Sequence, residues 1–281
     1  MSGVCQLERR RTTGKCRTAR GRLQPLCGLA AFAQGGGGIS FRMLIHQGAA
    51  RNERIDVFLA CWLAGIAGAL NAAAFYAIGF FAANMTGNVS ALSDHVATLQ
   101  GRASLFYLSI VLVFILGSTV SSLIINAGRR RGIGGIYAWC ILLEALLLAP
   151  LGLADLFITA PWRVEILILG LAFLMGLQNA TVTRISDARV RTTHVSGMAT
   201  DIGIEIAVAI DILRGRDVSG EAISNRAKLR LHLYTIAAFC SGGVAGVLVY
   251  QSVGGVLLLA ASLLLLVIAL DALRRAGKAG H

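Results

Sequence analysis

Residues 233–270 run for 38 positions without an Asp, Glu, Lys or Arg. A single helix of that length would be about 57 Å long, against a hydrocarbon core of about 30 Å, so the stretch predicts two crossings joined by a turn. Gln251-Ser252-Val253-Gly254-Gly255, polar and Gly-rich, lies at its midpoint. The same pattern along the rest of the chain predicts six spanning helices, at 57–80, 103–127, 134–154, 164–183, 231–250 and 253–270. Each is near the roughly 20 residues a crossing needs. In lipid the backbone must satisfy its own hydrogen bonds, which leaves helices or a closed barrel. Barrel strands would alternate in hydropathy with period two, and runs such as the four leucines at 263–266 do not.

Composition agrees with this pattern. The chain is 56% hydrophobic and 14% charged, with a mean hydropathy of +0.71, whereas soluble domains carry about 25% charged residues. The fold class is therefore an all-α integral membrane protein, with residues 55–275 as one polytopic domain.

A net charge of +12 raises the question of a nucleic-acid partner, and the placement of the charges answers it. Of the 26 Lys and Arg, ten precede the first span, three lie between the second and third, eight between the fourth and fifth, and three after the sixth. Arg102 and Arg163 lie in the other two loops. A split of 24 to 2 follows the positive-inside rule and predicts both termini in the cytoplasm. The basic residues are thereby accounted for, and no nucleic-acid-binding motif accompanies them. The bilayer and a small-molecule solute are the expected partners.

Residues 1–54 form a basic tail unlike the rest, with Arg9-Arg10-Arg11 and four glycines at 35–38. Its apolar run at 26–33 is short and interrupted by Cys27 and Gly28, so the tail reads as disordered, or as an over-extended start with Met43 as the initiator, rather than as an export signal. Residues 276–281 form a short tail at the other end. The six cysteines include no C-x-x-C pair, so neither a zinc site nor a disulfide framework is expected.

Two segments resemble each other. Gly68-Ala-Leu-Asn71-Ala72 leads to Asn84-Met85-Thr86-Gly87-Asn88, and Gly176-Leu-Gln178-Asn179-Ala180 leads to His194-Val195-Ser196-Gly197-Met198. Each has G-x-x-N-A in a spanning helix, then a hydroxyl-Gly pair 15 or 17 residues after the Asn, then a modest amphipathic stretch, 89–99 or 199–213. The copies open the first and fourth spans. Two units of three spans each, 55–154 and 164–271, must enter the membrane from opposite sides, which is the inverted-topology repeat of many secondary transporters.

An Asn in a lipid-embedded helix faces the bundle interior, because its amide must be paired. Asn71, Gln178 and Asn179 could coordinate a ligand or simply bind neighbouring helices. Thr86-Gly87-Asn88 and Ser196-Gly197 suit a helix break followed by a helix N-terminus, a natural anion or carbonyl site, or two ordinary caps. The absence of charge from 57 to 93 predicts that the segment after the first span re-enters the membrane or lies against it.

The same residues carry a family resemblance. Gly68-x-x-Asn71-Ala72, Met85-Thr86-Gly87-Asn88, Gly176-Leu177-Gln178-Asn179-Ala180 and Val190-Arg191-Thr192-Thr193-His194-Val195-Ser196-Gly197, with Thr200-Asp201-Ile202-Gly203, resemble the bacterial YoaK-like family of multi-pass membrane proteins over about 55–275. Members often carry an acid where this chain has Asn71, and Thr where it has Ser196. The resemblance implies an inner-membrane protein of about six helices and implies no established substrate.

Glu144 lies within the third span, and an acid there costs about 2.5–3.5 kcal/mol by insertion scales, so it is a functional candidate or a structurally paired group. It could be protonated and carry a proton. Asp201 and Glu205 share a helix face; they could bind a cation, or pair with Arg189 or Arg191 at a helix start. His194 has no second ligand at metal spacing, so no metal or cofactor is expected. Gly242-x-x-x-Gly246, with Ser241 and Ala245, predicts close helix packing. The chain lacks the H-E-x-x-H, G-x-S-x-G and P-loop patterns, and no enzymatic activity is expected. A small-solute transporter with a site at the repeat interface is the primary expectation, and a structural or accessory membrane protein the alternative.

Overall fold

The computed structural model describes residue 44 and residues 53–158, 161–216 and 222–279. Most of the basic tail (1–43 and 45–52), including the Met43 start, and the last two residues of the chain lie outside that set. The described residues form eight helices: α1 (Glu53–Ile78), α2 (Met85–Ala97), α3 (Gly101–Arg130), α4 (Ile136–Phe157), α5 (Trp162–Ile185), α6 (Val195–Leu213), α7 (Ala222–Val253) and α8 (Val256–Ala279). All but α2 and α6 are long and apolar enough to cross a membrane, giving six spans. The family of arginines at the N-terminus of α1, the C-termini of α3 and α5, the start of α7 and the end of α8 marks one face of the bundle, called here the arginine-rich face.

Helix ends differ from the hydropathy-based expectation where polar residues continue a helix beyond the apolar window. α7 starts nine residues before the expected 231, and α8 runs past Leu270 to Ala279. Both extensions are at the arginine-rich face, where water or headgroups solvate Arg226, Arg230, Arg274 and Arg275 without interrupting backbone hydrogen bonding. The turn between α7 and α8 is Gly254-Gly255, and Gly254 has φ +57°, a left-handed conformation that a side chain resists.

The most extensive packing joins α1 to α7, α3 to α5 and α4 to α8, with α4 also against α5, α2 against α3, and α6 against α7. In water apolar burial would drive these contacts, but between helices in lipid small residues that allow close approach take over. The crossings show it. A Cβ on Gly68 would lie 2.1 Å from the Phe239 carbonyl oxygen, and one on Gly242 would lie 2.1 Å from that of Gly65. Between α3 and α5, a Cβ on Gly176 would lie 2.1 Å from Phe114 O, and one on Gly117 2.0 Å from Phe173 O. The predicted Gly242–Gly246 stripe is thus the α7 side of the α1 contact, with Gly246 against Ala69.

The uncharged segment after α1 folds back on the bundle. Phe81 stacks on Phe75 with ring centroids 4.1 Å apart, and Phe80 packs edge-on against Phe106 at 5.1 Å. α2 then lies along α3.

Candidate functional site

The buried residues of α4 form a stripe at helical spacing: Tyr137, Cys140, Ile141, Glu144, Ala145, Leu148, Gly152 and Asp155. Those of α5 do the same through Leu167, Leu171, Leu174, Gln178, Thr181 and Ile185. Spacings of three and four residues put each set on one face, so antiparallel α4 and α5 bring Glu144 opposite Gln178. Both side chains are 0% exposed. Gln178 Nε2 donates to Glu144 Oε1 at 2.9 Å. Among the described residues, Glu144 Oε2 and Gln178 Oε1 have no hydrogen-bond partner. Glu144 is eight residues from the start of α4, about 12 Å from the arginine-rich end of that helix and about 4 Å from its midpoint, on the arginine-rich side.

One turn further toward the arginine-rich face lies a set of hydroxyl and thiol groups. Ser121 Oγ and Thr181 Oγ1 are 2.8 Å apart and buried, and Thr181 also donates to Leu177 O at 2.8 Å. The buried Cys140 of α4 lies beside both hydroxyls. Beyond them Tyr137 donates to Arg184 O at 3.3 Å, and Arg184 binds the Asn126 side chain. In the opposite direction the buried neighbours are Leu148, Leu171 and Leu174.

A second polar cluster closes the far face. Arg163 binds Asp155 Oδ1 through Nε at 2.9 Å and through Nη2 at 2.6 Å. Tyr250 OH donates to Asp155 Oδ2 at 2.6 Å and accepts from Arg163 Nη2 at 2.8 Å. The network ties α4, α5 and α7 together, and Tyr76 of α1 packs edge-on against Tyr250 at 6.2 Å. Beside it is a void of about 10 Å³, lined by Ala74, Ile78, Leu167, Leu171, Tyr250 and Leu258, about the space of one water molecule.

The other candidate residues do not gather at the Glu144–Gln178 pair. Asn71 Oδ1 accepts from the Ala83 amide at 2.8 Å, holding the loop after α1. Asn179 Oδ1 accepts from the Thr193 and Thr192 hydroxyls at 3.0 and 3.2 Å, holding the loop after α5. Its Nδ2 donates to Met175 O at 2.8 Å. Both asparagines are used locally, at opposite ends of the bundle, because α1 and α5 run in opposite directions. Asn88 is buried and donates to Phe81 O at 3.3 Å. Asn84 caps α2 by accepting from the Gly87 amide at 3.0 Å, whereas His194 caps α6 without a side-chain bond and its ring lies against Gly197. Thr86, Ser196 and Asp201 are exposed.

Asp201 is exposed, whereas Glu205 one turn on is buried. Glu205 faces His232, with Oε1 3.0 Å from Nδ1, and Asn225 donates to its backbone carbonyl at 2.9 Å. The expected pairing of Glu205 with Arg189 or Arg191 does not occur: Arg189 bridges to Asp56 at 3.4 Å instead, since α6 packs on α7 and turns Glu205 toward that helix. Reasoning from sequence missed Asp155, Arg163 and Tyr250, and also Ser121 and Thr181. The signal for Arg163 was present: it is one of two cations on the far side and lies eight residues after an acid.

Residues 59–270 match a family model described as a protein of unknown function (DUF1275). The chain belongs to the DUF1275 family. No curated protein and no solved structure matches it. The family match spans every residue of both polar clusters, so the Glu144–Gln178 pair and the Asp155–Arg163–Tyr250 network both belong to the DUF1275 domain.

Proposed function

We propose that this DUF1275 protein is a small-solute transporter of the bacterial inner membrane, with its termini and arginine-rich face in the cytoplasm and no catalytic activity. We read it as YoaK-like and as a 3+3 inverted repeat, with α1–α4 and α5–α8 as the two units. The repeat reading is supported by the packing. Exchanging the units converts the α1–α7 contact into α5–α3 and the α2–α3 contact into α6–α7, and leaves α4–α8 unchanged. It also converts the Gly68–Phe239 approach into Gly176–Phe114, each at 2.1 Å.

The observation that carries the transport reading is the Glu144–Gln178 pair. It joins one unit to the other, is 0% exposed, and leaves two acceptor atoms without partners. Keeping unsatisfied polar groups in a membrane core costs stability, which suits a site that must bind and release. The Asp155–Arg163–Tyr250 network, also spanning both units, then acts as the closed gate of the far face. Asn71 and Asn179 hold loops in this scheme rather than contact solute, which is the observation that favours the alternative, an accessory membrane protein.

Thermal-shift screening of the detergent-purified protein against small metabolites, repeated on Gln178→Leu, tests the reading. Stabilisation of the wild type by one solute class, lost in the variant, is expected, because a ligand that binds the folded state raises its melting temperature. Reconstituted vesicles that show no flux of any stabilising solute would sink transport in favour of the accessory role. Sidedness is checked with single cysteines at Thr98 and Arg131: an impermeant maleimide added to intact cells should label the first and spare the second.

A further inference from the structure

We propose that Glu144 and Gln178 together hold one exchangeable proton, and that in this conformation the proton reaches the pair from the arginine-rich face by way of Ser121, Thr181 and Cys140. That this proton is the coupling ion rests on the transporter reading; the proton site itself does not.

An ionised carboxylate accepts hydrogen bonds and donates none, and a carboxamide oxygen likewise only accepts. With Gln178 Nε2 already given to Glu144 Oε1, the two remaining atoms of the pair, Glu144 Oε2 and Gln178 Oε1, are both buried acceptors without a donor. One proton on Oε2 converts the mismatch into a match. The carboxyl and carboxamide groups are planar and of similar width, so O–H···O and N–H···O bonds can form side by side and close a ring. No second ion is required.

The surroundings favour the neutral acid for the same reason. No charged residue occurs on α3 between Arg102 and Arg129, on α5 between Glu165 and Arg184, or on α8 from 256 to 270. An ionised Glu144 would therefore be a buried charge without a counter-ion, a state that costs several kcal/mol. The ionisable group beside it is the Cys140 thiol of its own helix; Ser121 of α3 and Gln178 and Thr181 of α5 do not titrate near neutrality. From α8, Ser262 donates to the Ala145 carbonyl at 2.7 Å and brings no charge.

The route follows from which side is polar. Toward the arginine-rich face the Cys140, Ser121 and Thr181 groups lie one turn away, with Tyr137 and Arg184 beyond. Toward the far face Leu148, Leu171 and Leu174 fill the interior until Asp155, itself locked to Arg163 and Tyr250. Hydroxyl and thiol groups can both donate and accept, so they can relay a proton, and leucine side chains cannot.

Infrared spectroscopy of the purified protein in lipid bilayers at neutral pH tests this. The wild type should show the C=O stretch of a protonated carboxylic acid, shifted by deuterium oxide and absent from Glu144→Gln. Gln178→Leu, which keeps the carboxyl but breaks the ring, should move the band toward the frequency of a free acid. Glu144→Gln is expected to fold, because an amide can form the same two bonds with Gln178. Should it not fold, the Gln178→Leu shift decides alone. A wild-type protein without the band, a band that survives Glu144→Gln, or a band unmoved by Gln178→Leu overturns the proton site. Thr181→Val with Cys140→Ala should slow the deuterium shift several-fold, and an unchanged rate overturns the route. The band is read without any flux. A band in a protein that moves no solute would therefore refute transport and leave the proton site standing, while flux without the band would do the reverse.

Discussion

Replacing Gly176 by Ala adds one methyl group at the α3–α5 crossing. That carbon would start 2.1 Å from the Phe114 carbonyl oxygen. Carbon–oxygen contacts of this kind settle at about 3.3 Å or more, so the two helices must part locally by about 1.2 Å. Backbone cannot rotate away as a side-chain tip can. Overpacking of this size costs about 1–3 kcal/mol. The displacement also stretches the bond that Ser118 Oγ donates to Gly176 O at 3.0 Å, worth about 0.6 kcal/mol in a membrane protein. Removing a helical glycine returns about 0.5–1 kcal/mol. The net loss is about 1–3 kcal/mol, or roughly 3–10 °C in melting temperature. Thermal unfolding of the detergent-purified variant at fixed detergent and lipid measures it. Gly68→Ala meets the Phe239 carbonyl at the same 2.1 Å and should lose a similar amount, if the two units are built alike. Gly203, on exposed α6 with nothing within 4 Å of a Cβ, is the control: Gly203→Ala should be neutral or stabilising. A Gly176→Ala protein as stable as the wild type, or a Gly203→Ala protein equally destabilised, would refute the account of the crossing.

Other outcomes follow from the polar clusters. Arg163→Ala leaves the Asp155 carboxylate, whose side chain is 1% exposed, with Tyr250 as its remaining partner. A loss of about 3 kcal/mol is expected, the lower end of the range for breaking a buried pair, because Arg163 itself is partly solvated. Tyr250→Phe removes the donor to Asp155 Oδ2 and should cost about 1–3 kcal/mol by the same unfolding assay. If both variants melt with the wild type, the network does not hold the far face closed. Asn179→Ala frees the Thr192 and Thr193 hydroxyls and Asn71→Ala frees the Ala83 amide, each at about 0.6–2 kcal/mol. Hydrogen exchange should rise in 189–194 for Asn179→Ala and in 79–84 for Asn71→Ala while the spans stay protected; unaltered loop exchange would show that the asparagines do not hold the loops.

The Glu144–Gln178 pair illustrates what was legible before any coordinates. An acid inside an apolar span announces itself, and so does G-L-Q-N at 176–179, because polar residues in lipid are costly and stand out. Their meeting was not legible. It depends on α4 and α5 being antiparallel with Glu144 and Gln178 at the same height. The asparagines stand out equally well in sequence, yet Asn71 and Asn179 turned out to hold their own loops. A polar residue's type signals that it needs a partner, not which partner it finds. Asp155, Arg163 and Tyr250 lie near span ends, where polar residues are ordinary; the isolated cation Arg163 eight residues after Asp155 hints at a pair, but nothing local adds Tyr250 or separates a locked network from a solvated rim.

By itself the sequence determined the class of structure: six apolar helices, their order, the small-residue face of α7, and one shorter amphipathic segment after each G-x-x-N-A segment. These follow from local quantities, since a crossing needs about 20 apolar residues and lipid forbids an unpaired backbone. Tertiary structure alone decided which polar groups face one another: Glu144 with Gln178, Asp155 with Arg163 and Tyr250, Glu205 with His232 rather than with an arginine. Those pairings depend on the relative height and rotation of helices far apart in the chain, which hydropathy does not encode.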